Sequence, residues 1–191
     1  MRKLSIVLTV FVAVLILNFS APSKASAGVS VSVDPIFTVV NLLWGAIGVT
    51  GSAEFTLGGP LSVYVPVTFL SWSGYGYNWT YIGFGVQAHY FIADAGFNFF
   101  KGNPFGGLWV GAGVGLQLWS GGWTGYSWNY MVLDIPIRAG YQWFFAGNTG
   151  FYLEPHVGYD IAIGLGTSSW GSLYSPSIGG VLYGVNLGYA F

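Results

Sequence analysis

The last eleven residues of the chain alternate between large apolar and small or polar side chains. The odd positions from Val181 to Phe191 are apolar or aromatic, and the even positions after Leu182 are glycine, asparagine or alanine. A period of two residues predicts a β-strand with two unlike faces. Because the small face offers little that would fill a protein core, we predict that the large face contacts lipid.

The same alternation recurs in six stretches upstream. The predicted strands occupy residues 46–57, 61–69, 79–92, 106–118, 129–143 and 151–164. With the closing stretch they make seven, and an eighth is expected because single-chain bacterial membrane barrels have an even number of strands. The pattern therefore predicts an all-β fold, an eight-stranded antiparallel up-and-down transmembrane β-barrel.

The first strand must lie in residues 28–44, where the pattern is irregular. Residues 28–33 alternate weakly, and Pro35 then interrupts because proline cannot donate a hydrogen bond to a strand ladder. Residues 36–44 are apolar on all sides, which fits either the rest of a strand or a short helix at the barrel mouth. Of the two, we favour a first strand with a break at Pro35.

The predicted connections alternate in length. Short turns are predicted at residues 58–60 and 144–150, and longer loops rich in aromatic residues, glycine and serine at 71–78, 119–128 and 165–177. In bacterial barrels the short turns face the periplasm and the longer loops face outward. The connection at 93–105 departs from this rule, because it falls on the periplasmic side and is long.

Composition supports the same class of protein. Charged residues make up 6% of the chain, against about 25% in ordinary soluble domains. Beyond the N-terminus there is no apolar run of the roughly 18 residues that a membrane-spanning helix needs. The chain has no cysteine, so disulfides and thiolate chemistry are excluded.

Residues 1–27 have the features of a secretory signal peptide. A basic start is followed by an apolar stretch at 6–19 and by the small-residue cleavage site Ala25-Ser26-Ala27. We therefore predict that the barrel comprises residues 28–191. This part keeps two basic and six acidic residues, so it has no basic patch for nucleic acid.

With this signal peptide, the alternation and the terminal Phe191, the chain resembles small bacterial outer-membrane barrels of the OmpA/OmpX type. The closing stretch looks like the C-terminal signal that the barrel-assembly machinery reads in that class, formed here by Tyr183, Val185, Leu187, Tyr189 and Phe191. The resemblance implies a place in the bacterial cell outer membrane, with outer-membrane lipid and the assembly machinery as partners. It implies no particular activity.

Nearly every ionisable side chain of the predicted strands falls on the small face, toward the lumen. The predicted polar network of the lumen consists of Glu54, Gln87, His89, Asp134, Arg138, Glu154, His156 and Asp160. Because buried charges need partners, we predict that Arg138 bridges Glu54 and Glu154 and braces the barrel. A narrow cation-preferring channel is the alternative, because the many lumen glycines leave space for water, although they would equally serve strand curvature.

No enzyme, metal site or cofactor is predicted. Glu154 and His156 share a face, but the local sequence supplies no serine to complete a hydrolase site, so a lipid-modifying hydrolase ranks below the channel. His89 and His156 lack the spacing that is diagnostic of metal ligands.

Most of the tryptophans fall in or beside the predicted outer loops. Aromatic residues at both rims are typical of the interfacial girdle of a barrel. The alternative is an uncharged binding surface for a glycan or a partner protein, formed by Tyr75, Tyr77, Trp123, Tyr126 and Trp170. The predicted function is that of a non-enzymatic outer-membrane barrel with a structural or surface-interaction role.

Overall fold

The structure is a computed structural model that describes residues 28–58, 60–92, 106–145, 150–165 and 179–191. The predicted signal peptide, the connection 93–105 and Trp170 lie outside these ranges. The described strands are β1 (Val29–Val33), β2 (Ile47–Gly58), β3 (Leu61–Gly74), β4 (Tyr77–Phe91), β5 (Gly107–Trp123), β6 (Tyr126–Phe144), β7 (Gly150–Gly164) and β8 (Gly180–Ala190). Each pairs antiparallel with its neighbours in sequence, and β1 pairs with β8 to close the ring. The predicted eight-stranded up-and-down barrel is confirmed.

Alternation decides which way each side chain points. In β4, Gln87 and His89 are buried in the lumen, whereas the residues between and beside them, such as Val86 and Tyr90, are exposed on the outer wall. The ends of the barrel can be named by its connections. The inner end carries Phe191, and the outer end carries the β3–β4 and β5–β6 turns.

The lumen glycines make room for large neighbours. A methyl group at Gly111 would overlap the ring of His89, and one at Gly140 would overlap the ring of Trp109. Because the interior of an eight-stranded barrel is only wide enough to be filled by side chains, a large side chain on one strand requires a small one beside it. At these positions the space left by glycine is therefore filled by a neighbouring ring.

Residues 28–44 contain a strand and a helix in succession. After β1, Asp34 caps the helix α1 (Pro35–Leu43), and its Oδ1 accepts the Phe37 N–H at 2.8 Å. Proline suits the first turn of a helix because its missing N–H has no partner there in any case. The expectation that the strand resumes after Pro35 is wrong, because Asp34 and Pro35 together form a helix start.

The helix takes the place of the outer part of a full-length β1. The β1–β8 ladder joins four Cα pairs, whereas the β7–β8 ladder joins eleven. Helix α1 packs against β2 and β8 and turns an exposed apolar side outward, formed by Ile36, Val39, Val40 and Leu43. A helix suits this position because its backbone groups are mostly satisfied within the segment.

Within the described ranges, no helix has the length and apolar character needed to cross a membrane.

Two predicted loops are strands. The segments 71–78 and 119–128 continue the ladders to Gly74–Tyr77 and Trp123–Tyr126, so that two-residue turns remain. Tyr75 and Gly76 both have positive φ, of 51° and 80°, as tight hairpin turns with strand-like twist require. Predicting loops here was wrong, because aromatic cross-strand pairs extend the strands.

Candidate functional site in the barrel lumen

One layer of polar side chains closes the inner half of the lumen. We call Glu54, His89, Gln142, Glu154 and Asn186 the inner layer; all five are buried. Gln142 Nε2 donates to Glu54 Oε2 at 3.0 Å and also to Glu154 Oε2. Gln142 on β6 and Glu54 on β2 lie on opposite walls, because three strands lie between them in either direction around the eight-stranded ring. The hydrogen bond between the Gln142 and Glu54 side chains therefore joins opposite walls of the lumen.

The two carboxylates of the inner layer have further donors. His89 Nδ1 lies 3.0 Å from Glu54 Oε1, which also accepts from the Ser62 hydroxyl. Asn186 Nδ2 donates to Glu154 Oε1 at 2.8 Å. Every carboxylate oxygen of the pair is thus hydrogen-bonded, as burial of such groups demands.

Aromatic rings fill the space beside this layer. The His89 ring stacks between Tyr64 and Trp109, with ring centroids 4.7 Å and 3.9 Å away. Phe144 and Tyr152 pack together nearer the inner end, and both are almost completely buried. At this height the lumen is a packed core.

Arg138 does not bridge Glu54 and Glu154. Among the described residues, the pair formed by His89 and Glu54 is the ion pair within 4.0 Å, and Arg138 Nε is buried without a hydrogen-bond partner. Alternation places Arg138 on the correct face but does not give its height. It lies four residues from Gln142 along β6, which is roughly 13 Å at strand rise. The contact with both carboxylates that was predicted for Arg138 is made by Gln142.

Above the inner layer the lumen contains a cavity of about 190 Å³ that both polar and apolar residues line. The predicted residues Asp134, Arg138, His156 and Asp160 line this outer cavity, together with Gln87 at its floor. Arg138 is close enough to act electrostatically on both Asp134 and Asp160. The predicted polar network is therefore divided into a hydrogen-bonded inner layer and a more open outer cavity.

The candidate hydrolase pair does not form. Glu154 is held in the inner layer, whereas His156 lines the outer cavity, and no hydrogen bond joins their side chains. Within the described ranges, no three histidine, aspartate or glutamate side chains come together as a metal site.

Three residues of the predicted aromatic surface come together at the outer end. Trp123 stacks on Tyr126 at 4.3 Å between ring centroids and meets Tyr77 at 5.9 Å. Tyr75 stands apart at the turn, with 97% of its surface exposed. Because Tyr77, Trp123 and Tyr126 share the strand face of the lumen residues, this surface faces inward across the mouth.

Further aromatic residues, which the predicted aromatic surface did not include, continue this surface toward the cavity. Trp119 stacks on Trp79 and Tyr130, both at 5.8 Å, and contacts Tyr81 at 4.6 Å. Trp128 stacks on Tyr130 at 5.4 Å. We call the set the aromatic rows: Tyr77, Trp79, Tyr81, Trp119, Trp123, Tyr126, Trp128 and Tyr130. The sequence did contain a signal for these residues, namely parity, by which we mean whether a residue number is odd or even. Each of these residues has the same parity as the lumen-facing residues of its strand.

The residues of the proposed assembly signal are every second residue at the end of the chain, and those in β8 lie on its outward face. Tyr183 is exposed on the outer wall, and the Phe191 N–H donates to the Val29 carbonyl at 2.9 Å. Their part in assembly stays a prediction.

No model of a known protein family matches the chain, and a search of curated proteins found no significant match.

Proposed function

We propose that this chain is a non-conducting barrel of the bacterial outer membrane, with a structural or surface-interaction role. The observation that carries the proposal is the hydrogen bonding of Gln142 to both Glu54 and Glu154 across the lumen. A conducting pore needs a continuous water path, and the inner layer with its stacked rings occupies that path.

A change in polarity along the outer wall supports a membrane location. Four cross-strand partners on the outer face of β3 to β6 form an apolar row, which consists of Phe69, Ile82, Leu118 and Met131. The row two residues nearer the outer end is polar, and consists of Ser71, Thr80, Ser120 and Asn129. Such a boundary along these four strands is expected where hydrocarbon gives way to water.

Conductance measurements test the proposal. Purified protein inserted into planar bilayers should give no discrete current steps in potassium chloride, while a porin inserted under the same conditions shows that steps are detectable. Reproducible cation-selective steps would favour the channel and overturn the proposal.

A further inference from the structure

The aromatic rows form an unusual surface for a part of the barrel beyond the apolar wall. On β4, β5 and β6 the outer face at this height is polar, while the inner face carries stacked rings. Trp79, Trp119 and Tyr130 are only half-buried, so part of this aromatic surface borders the open mouth. The faces of aromatic rings attract cations through their quadrupole.

The aromatic rows lead directly into the outer cavity. Tyr81 contacts Trp119, its cross-strand partner, and also lines the cavity, where Asp134 and Asp160 act on it electrostatically. The rings and the carboxylates therefore belong to one continuous compartment.

The cavity has more acidic groups than its own cation can pair. Asp134 and Asp160 line it, together with Asp34, which caps helix α1, and Arg138 is the lysine or arginine among the described residues. Asp160 is 8% exposed, and its Oδ1 has no hydrogen-bond partner. No ion pair within 4.0 Å joins Arg138 to these carboxylates in the described part of the chain. A buried carboxylate oxygen without a donor favours a ligand that brings one.

We propose that the outer half of the lumen binds a small organic cation, whose ammonium group donates to Asp160 and Asp134 and whose carbon chain lies against the aromatic rows. The cavity of about 190 Å³ is smaller than the pockets of drug-sized ligands, so the ligand is a short amine or diamine. A neutral glycan would stack on the rings but would leave the carboxylates without a counter-charge. The inference adds a ligand class to the surface-interaction role proposed above.

Binding is tested on the full barrel in a non-ionic polyoxyethylene detergent, with 1,4-diaminobutane as the probe. Tryptophan emission should change saturably as the diamine is added, because Trp119 and Trp79 lie along its path, and calorimetry should give one site. The isosteric neutral diol 1,4-butanediol should give no saturable change. Equal binding of the diol, or no binding of the diamine, would overturn the proposal.

Charge-neutral variants locate the site. Asp160→Asn, alone and with Asp134→Asn, should weaken diamine binding at least about tenfold, because the donor loses its charged acceptors. Glu154→Gln is the matched control, since it removes an acid of the inner layer that does not line the cavity, and its affinity should stay within about twofold. Retained affinity in the folded double variant would contradict the site. Absence of conductance is measured separately, so either proposal can fail without the other.

Discussion

The barrel sorts its side chains in opposite ways at two heights. Along the apolar wall, β5 turns Val114 and Leu118 outward and places glycine and Gln117 in the lumen. From Trp119 onward the same strand turns the small residues Ser120 and Gly122 outward and places Trp119 and Trp123 inward. The alternation of side chains continues without a break across this boundary. What changes is which face carries the large residues: the outer face below the boundary and the inner face above it. Parity thus determines the direction of a side chain, whereas the surrounding solvent determines which residue type belongs there.

The largest effect is expected where the lumen is closed. Gln142→Leu removes two hydrogen bonds to buried carboxylates, and each such bond contributes about 1.5–3 kcal/mol, so we expect a loss of at least about 3 kcal/mol in the free energy of unfolding. Arg138→Met should cost less, because Arg138 makes no ion pair within 4.0 Å with the described residues and its Nε has no hydrogen-bond partner. Urea titration of both variants measures the difference. A greater loss for Arg138→Met would show that the brace lies in the outer cavity.

An arginine scan along the outer face of β5 tests the boundary between the two heights. Val114→Arg places a charge in the apolar wall and should cost about 2–4 kcal/mol in unfolding free energy, whereas Ser120→Arg should cost less than about 1 kcal/mol. The two positions share a strand and a face, so each is the control for the other. The measurement is urea unfolding in lipid vesicles, and equal costs would place no membrane boundary between them.

A smaller effect is expected in the aromatic rows. Trp119→Ala removes contacts with Trp79, Tyr81 and Tyr130, and aromatic pairs contribute about 0.5–1.5 kcal/mol each, so a loss of about 2 kcal/mol is expected. Near-ultraviolet circular dichroism should show the loss of stacking. Tyr75→Asn is the control, because that residue is almost fully exposed and asparagine tolerates its positive φ. An unchanged spectrum for Trp119→Ala would mean that the rings do not stack in solution.

The sequence predicts the barrel and the two faces of each strand well, because the alternation of large and small residues indicates both where a strand lies and which side chains share a face. It predicts four strands, β3 to β6, too short at their outer ends for a physical reason: the rule that large apolar residues face outward fails once the strands pass beyond the apolar wall. At residues 71–78 and 119–128 the large rings face inward, so the pattern resembles irregular loop. Had parity alone been followed from Gln117 to Trp119, the longer strand would have been predicted.

The pairing inside the lumen was less accessible to sequence reasoning. Parity places Glu54, Glu154 and Arg138 on one face, and opposite charge suggests that they pair. Contact also requires that two side chains lie at the same height along the barrel axis. That height depends on the stagger of the strands, which the ladder registers determine. A neutral amide, Gln142, therefore occupies the position that charge complementarity assigned to Arg138.

Substituting helix α1 for the outer part of β1 has a consequence for the circumference of the ring. Between β2 and β8 the inner part is fastened by ladder hydrogen bonds, whereas farther out side-chain packing of the helix supplies most of the contact. Packed helices slide at lower cost than ladder hydrogen bonds break, so we expect the perimeter to widen more readily at its outer end than at its inner end.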